Sequence, residues 1–307
     1  MTEIKLPTNV SVTRVSAGGL NIHYHQTGSG PHAVLIHGLT GSLADWQLRV
    51  VPLLSRHFTM LTYDLRGHGY TDMPLSGYTS ADMAADLTGL LNALGIEQAH
   101  IAGHSFGGTV ALHFAALHPD RVIALTISDS RVRSLQPFQK IKDWAHWPMW
   151  KEQLQKRGLT LDEEGELDFS MLELLRSQRA AQARKDLAAA DRRREEHWMK
   201  LLSSTTANAD LRDAAGLTPE LIGQIRVPAQ AIYGEFSLCL PTLEGLKKCL
   251  PALKATVLPG VGHFFPIARP DLFIQHVEEF HAPATPAPGD PCAPPPTPDD
   301  SAEPSTL

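Results

Sequence analysis

Over residues 10–130 the chain alternates between short apolar runs and stretches in which apolar residues recur at helical spacing. "NIHYHQTG" alternates apolar and polar positions with a period of two, which predicts a half-exposed antiparallel strand. "HAVLIHG", "FTMLTYD", "AHIAGHS" and "VIALTISD" are instead nearly continuous apolar runs closed by turn residues, and predict strands buried on both faces. Between them, "LADWQLRVVPLLSRH", "SADMAADLTGLLNALG" and "GGTVALHFAALHP" carry helical periodicity, the last two stopping at Gly95 and Pro119. Strand and helix in turn predict a mostly parallel sheet with helices on both faces.

After Asp129 the rhythm stops. Residues 131–225 form an insertion without a convincing strand, and stretches such as "SQRAAQARKDLAAADRRREEHWMKLL" mix charges of both signs at near-helical spacing, as a solvated helix face does. The strand rhythm resumes at "AQAIYGE" and "ATVLPG", and "RPDLFIQHVEEFH" predicts a final helix. Residues 282–307 are dominated by Pro, Ala and small polar or acidic residues, too poor in apolar surface to order themselves, and are expected to be a disordered tail.

Composition narrows the classes. At 307 residues and 43% hydrophobic the chain can bury one large core, so a single main domain is expected. The formal net charge of −6 and the lack of a Lys/Arg stripe argue against a nucleic-acid partner. No segment approaches the roughly 18 apolar residues of a membrane span, and nothing resembles a leader peptide, so a cytoplasmic protein is expected. Cys239, Cys249 and Cys292 are odd in number and lack zinc-ligand spacing; no metal site is expected, and the cysteines are read as reduced thiols without catalytic duty.

One motif carries chemistry. "AHIAGHSFGG" sets Gly103, Ser105 and Gly107 in a G-x-S-x-G pattern between an apolar strand and a helix. A serine on so tight a turn is strained and closely approached by neighbouring backbone, which the flanking glycines permit. The turn would hold the Ser105 hydroxyl above the sheet and leave the Phe106 N–H at a helix N-terminus, suited to a developing oxyanion.

These residues resemble the α/β-hydrolase superfamily, and the resemblance spans nearly all of residues 10–281. "LIHGLTGS" is similar to the family's His-Gly oxyanion loop, which implies Leu39 as the second oxyanion donor. "YDLRGHGYTD" resembles the turn after the next strand, and "PGVGHFFP" the last loop, which implies His263 as the general base. The implied fold is an α/β-hydrolase core of residues 1–130 and 226–281, with a helical cap inserted at 131–225. His104, His68 and His37 sit in family turns and are expected to make backbone hydrogen bonds.

The acid is the open question. A carboxylate must orient the imidazole, and losing it costs about 10⁴ in turnover. The family usually supplies it after the strand "AQAIYGE", where this chain has Ser237. Two replacements are available. Asp129 ends the strand that neighbours the nucleophile strand, a position from which some family branches, certain haloalkane dehalogenases among them, take their acid; Glu235 lies two residues before Ser237. Asp129 is the favoured choice and Glu235 the runner-up, although Arg131 and Arg133 could occupy the Asp129 carboxylate. A degraded triad stays open.

The expected activity is a serine hydrolase, carboxylesterase-like, cleaving an ester, thioester or amide of a small to medium apolar compound through an acyl-enzyme, with no cofactor. Alternatives are a C–C bond hydrolase or cofactor-free haloperoxidase-like enzyme on the same triad, or a hydrolase-fold ligand-binding protein without turnover. Epoxide hydrolases and dehalogenases of the family use an aspartate nucleophile, which disfavours them here. Phe138, Trp144, Trp147, Trp150 and Trp198 in the insertion are candidates for an apolar pocket, or for gluing a cap to the core.

Overall fold

In the computed structural model, residues 13–136, 138–156, 158, 160–167 and 189–281 are described. Eight strands form one sheet: β1 (Arg14–Ala17), β2 (Leu20–Thr27), β3 (His32–Ile36), β4 (Thr59–Tyr63), β5 (Ala99–His104), β6 (Val122–Ser128), β7 (Ala229–Gly234) and β8 (Lys254–Leu258). Their spatial order is β1-β2-β4-β3-β5-β6-β7-β8. The pairs β1–β2 and β2–β4 are antiparallel, and every pair from β4 through β8 is parallel. This is the α/β-hydrolase fold.

The continuous apolar runs follow from burial on two faces. Along β3, Val34 and Ile36 join one hydrophobic cluster while Ala33 and Leu35 join the other, and along β7 Ala231 and Tyr233 are likewise separated from Ile232. Successive side chains point to opposite faces, so a strand covered on both sides has no polar position to show. One cluster includes side chains of α1 (Ser80–Ala93) and α2 (Phe106–Leu117), such as Leu87, Leu90, Val110 and Phe114. The other packs Trp46 and Phe58 with Phe273, Ile274 and Val277.

One reading of periodicity is corrected. The expected helix over 43–57 is two separate turns, Ala44–Gln47 and Val51–Leu54, because Pro52 lacks the N–H that a continuous helix would use and fits only the first turn of a new one. β8, the strand expected at "ATVLPG", lies at the edge of the sheet with Lys254 and Val257 exposed.

Between β6 and β7 the described residues form no strand, only an isolated bridge between Lys140 and Glu166. The longest helices there are α3 (Trp147–Lys156) and α4 (Ala189–Ser204). Much of the charge-dense segment, and the expected tail at 282–307 with Cys292, lie outside the described residues. The final helices are α5 (Leu240–Cys249) and α6 (Pro270–His281). Among the described residues no helix is long and apolar enough to cross a membrane.

Candidate functional site

Ser105 stands between β5 and α2 with φ 56° and ψ −126°, a conformation that costs a non-glycine residue about 1–3 kcal/mol. The neighbourhood holds it there. The Ser105 N–H donates to Ser128 O at 2.9 Å, tying the turn to β6, and the Gly108 N–H donates to Ser105 O at 3.0 Å. A Cβ on Gly103 would lie 2.2 Å from Gly107 O, and one on Gly107 would lie 2.4 Å from Ile36 O. The two flanking glycines are therefore required by close backbone approach.

His263 lies after β8 and reaches back over the sheet. Its Nε2 is 3.0 Å from Ser105 Oγ and its Nδ1 is 2.9 Å from Asp129 Oδ1. A carboxylate only accepts, so Nδ1 carries the proton and Nε2 is left to accept from the serine hydroxyl. The backbone of His263 is pinned too, because the His104 Nε2–H donates to its carbonyl at 2.8 Å. His104 stays neutral: burial, with the facing His263, lowers its pKa to about 3.

Asp129 is fully buried, and three donors converge on it. The His263 Nδ1–H and the Ser237 hydroxyl both reach Oδ1, while the Gly234 N–H donates to Oδ2 at 2.8 Å. Such convergence offsets the desolvation of a buried carboxylate. The Asp129 N–H continues the β6–β7 ladder by donating to Ile232 O at 2.9 Å. Arg131 and Arg133 do not compete for this carboxylate; both pair with Glu166.

Ser237 supports the neighbouring carboxylate, and its Oγ also accepts the Cys239 N–H at 3.0 Å. Glu235 is exposed and points elsewhere, accepting the Gly260 N–H at 2.8 Å in the turn before His263. For His263, burial lowers the pKa, but Cys239 and the Asp129 carboxylate raise it, and the net displacement is upward.

Leu39 and Phe106 both line the cavity at Ser105, and neither backbone N–H has a hydrogen-bond acceptor among the described residues. The loop carrying Leu39 is set by His37, whose Nε2 accepts the Leu65 N–H at 3.0 Å while Nδ1–H donates to Gly38 O at 2.8 Å. His68 likewise bonds backbone, with Nδ1 3.0 Å from Arg66 O.

The cavity, of about 70 Å³, is walled by Val132, Leu211, Leu217 and Leu238 and by polar groups that include Arg131 and Arg212. None of the five aromatics expected to line a pocket is on its wall. Trp144, Trp147 and Trp198 are buried in the hydrophobic cluster shared with the sheet, and Trp150 packs against that cluster. Trp147 Nε1–H donates to Glu163 at 2.9 Å, Trp144 and Trp150 lie 5.9 Å apart, and Phe138 is exposed. Large apolar rings gain most by full burial, and here the tryptophans pack into the cluster they share with the sheet and do not line the cavity.

Sequence reasoning missed Cys239, a buried residue of the cavity wall whose Sγ is 3.7 Å from His263 Nδ1. Apart from its place beside the last loops, nothing in "FSLCL" marks it. The ligand atoms of Asp129, Cys239 and His263 lie within 4.8 Å of one another, the donor set that could hold a metal ion among the described residues. Within that group His263 Nδ1 and Asp129 Oδ1 lie at hydrogen-bond distance, 2.9 Å.

The model of the alpha/beta hydrolase fold family matches residues 31–270. A soluble epoxide hydrolase of Corynebacterium sp. (strain C12) is 36% identical over 40% of this chain and 43% of its own length. A 2-(acetamidomethylene)succinate hydrolase of Mesorhizobium japonicum is 26% identical over 87% of this chain and 94% of its own. The chain spans well under half of the first curated relatives it matches, so those likenesses concern part of each protein. In structure, a meta-cleavage product hydrolase from Pseudomonas fluorescens IP01 has a TM-score of 0.66 at 24% identity, covering 89% of this chain and 98% of that one. Strand order, serine turn and family match converge, and the chain belongs to the alpha/beta hydrolase fold family.

Proposed function

We propose that the protein is a serine hydrolase that opens an ester, thioester or amide of a small compound through an acyl-enzyme. The observation that carries this reading is the unbroken relay from Ser105 Oγ through His263 to Asp129, with contacts of 3.0 and 2.9 Å. In it, His263 Nε2 takes the hydroxyl proton as Ser105 attacks the carbonyl, and Asp129 stabilises the imidazolium that forms. The oxyanion is received by the Leu39 and Phe106 N–H groups, the latter at a helix N-terminus. The protonated His263 then hands its proton to the leaving group, and a water activated by the same imidazole releases the acid. Only side chains and backbone amides are used.

The nucleophile is a hydroxyl, which suits acyl transfer; alkyl-ester chemistry of the epoxide-opening kind needs a carboxylate there. The insertion at 131–225 acts in this reading as a helical cap, since Arg131, Ser134, Leu211 and Leu217 complete the cavity over the serine. A second reading, hydrolysis of a C–C bond beside a ketone, is favoured by one likeness: a 2-hydroxymuconate semialdehyde hydrolase of Pseudomonas sp. (strain CF600) is 33% identical over half of this chain. The test is labelling with a fluorophosphonate alongside turnover of an activated ester. Wild type is expected to be labelled at Ser105 and to turn over, while folded Ser105→Ala loses both. Unchanged turnover in Ser105→Ala would remove Ser105 from the chemistry.

A further inference from the structure

The cavity wall at Ser105 is unusually cationic for an apolar pocket. Among the described residues Arg131, Arg133 and Arg212 all contribute to it, against one acidic residue, Asp213. Asp213 is exposed, and its Oδ1 accepts the Ala215 N–H at 2.7 Å. Arg131 and Arg133 must share the single carboxylate of Glu166. Two guanidinium groups on one carboxylate leave a surplus positive charge beside the cavity even with Glu166 ionised. Burial alone would raise its pKa, but the two arginines hold it below the ordinary carboxylate range.

Arg131 is the most telling of the three. Its side chain is only 15% exposed, its Nη2–H donates to Glu166 Oε1 at 2.8 Å, and its Nε–H is buried with no hydrogen-bond partner among the described residues. A charged donor in a buried wall is costly to leave unpaired. Its backbone is fixed on both sides: the Thr109 hydroxyl donates to Arg131 O at 2.9 Å, and the Val132 N–H donates to Thr242 Oγ1 at 3.2 Å. Arg131 is therefore carried on a rigid stretch two residues after Asp129, and it lines the same cavity as Ser105 and His263. Arg212 is held by Nη1 hydrogen bonds to the Asn208 carbonyl and side chain.

We infer that the substrate of this site carries a carboxylate in addition to the scissile carbonyl, and that Arg131, with Arg133 and Arg212, binds it. This deepens the serine-hydrolase reading by naming the substrate class, and it rests on that reading only for the chemistry. A planar guanidinium matches a carboxylate in shape as well as charge, so recognition can be bidentate. An acyl group anchored at one end presents its carbonyl to Ser105 in one register, which serves the transition state through orientation.

The test separates binding from chemistry. Isothermal titration calorimetry of folded Ser105→Ala would compare glutarate with glutaramide, its neutral counterpart. Glutarate is expected to bind at least tenfold more tightly, and Arg131→Gln in that background is expected to erase most of the preference. In parallel, kcat/KM of the wild-type framework would be measured for the 4-nitrophenyl monoester of glutarate and for its methyl-capped diester. The ratio between them should favour the free carboxylate and fall about 10–100-fold in Arg131→Gln, with partial recovery in Arg131→Lys. A ratio unmoved by Arg131→Gln, or equal binding of the acid and the amide, would overturn the inference. Carboxylate-selective binding without ester turnover would instead sink the serine-hydrolase reading and leave the anion site standing.

Discussion

The loops after β6 and β7 leave the sheet side by side, and each carries a carboxylate near its start: Asp129 and Glu235. Their environments could hardly differ more. Asp129 is fully buried, takes three donors and lies 2.9 Å from His263, whereas Glu235 is exposed and clamps a backbone turn through the Gly260 N–H. Ser237 explains the division. Its hydroxyl leans onto Asp129 where a carboxylate side chain would have repelled it. Two like charges at this depth would raise one pKa steeply, so one acid and one hydroxyl share the place. Of the two carboxylates only Asp129 lies within hydrogen-bond reach of His263, although Glu235 starts the neighbouring loop.

The largest effect expected from breaking this comparison is at Asp129. Asp129→Asn is expected to lower kcat on an activated ester by about 10⁴ with the fold retained, because the amide cannot stabilise the imidazolium and favours the wrong tautomer. Circular dichroism alongside the rate measurement separates this from unfolding; a folded variant within tenfold of wild type would move the acid elsewhere. Next in size is its reciprocal. Adding Ser237→Asp to Asp129→Asn moves the charge one loop over, and turnover should recover at least tenfold from the single variant. No recovery would mean that the β7 loop cannot aim a carboxylate at His263 in this chain.

The fold was legible because its signals are local and repeated. Buried parallel strands betray themselves as apolar runs, and the two faces seen along β3 account for the continuity of "HAVLI". The serine turn was legible for a different reason: Gly103 and Gly107 are demanded by contacts of their own neighbourhood. The cavity wall was not. Arg131 and Glu166 are 35 residues apart, and Leu211 and Leu238 arrive from separate loops, so no spacing along the chain announces their meeting. The tryptophans stayed ambiguous because "WAHWPMW" reads as a lining or as a packing cluster, and only burial decides between them. Ser237 carried a half-signal. The sequence marked it as the place where an acid was missing, but its hydrogen bond to the replacement exists only when β6 and β7 stand next to each other.

The pH dependence sharpens the same contrast more finely. Burial lowers the His263 pKa, Cys239 and Asp129 raise it, and the balance is upward. Since kcat/KM needs the neutral imidazole, the acid limb of the wild-type profile should have its midpoint above the ordinary histidine value of about 6.5. For folding the sign is that of a raised histidine: the stabilisation is fully present below that ordinary value and is lost as pH rises through the folded-state value. In Asp129→Asn one raising cause is gone, so the midpoint of the residual activity should move to lower pH. Profiles of wild type and variant that coincide would show that Asp129 does not charge-couple to His263.

The smallest effect belongs to Glu235, and it is the control that gives the others meaning. Glu235→Gln keeps an oxygen that can accept the Gly260 N–H and removes only the charge. The contact is exposed, so the loss of charge assistance should cost about 0.5–1 kcal/mol of stability at most. The turn before His263 is also held by the Phe236 N–H, which donates to Val261 O at 3.0 Å, and by the Glu235 N–H, which donates to Leu258 O at 2.9 Å. Both bonds are untouched by the substitution, so His263 should keep its station and kcat should change by less than about threefold. Thermal unfolding and ester turnover measured together check both expectations. A fall in kcat as deep as that of Asp129→Asn, with stability intact, would mean that the exposed carboxylate reaches the imidazole during turnover and that the two loops exchange roles.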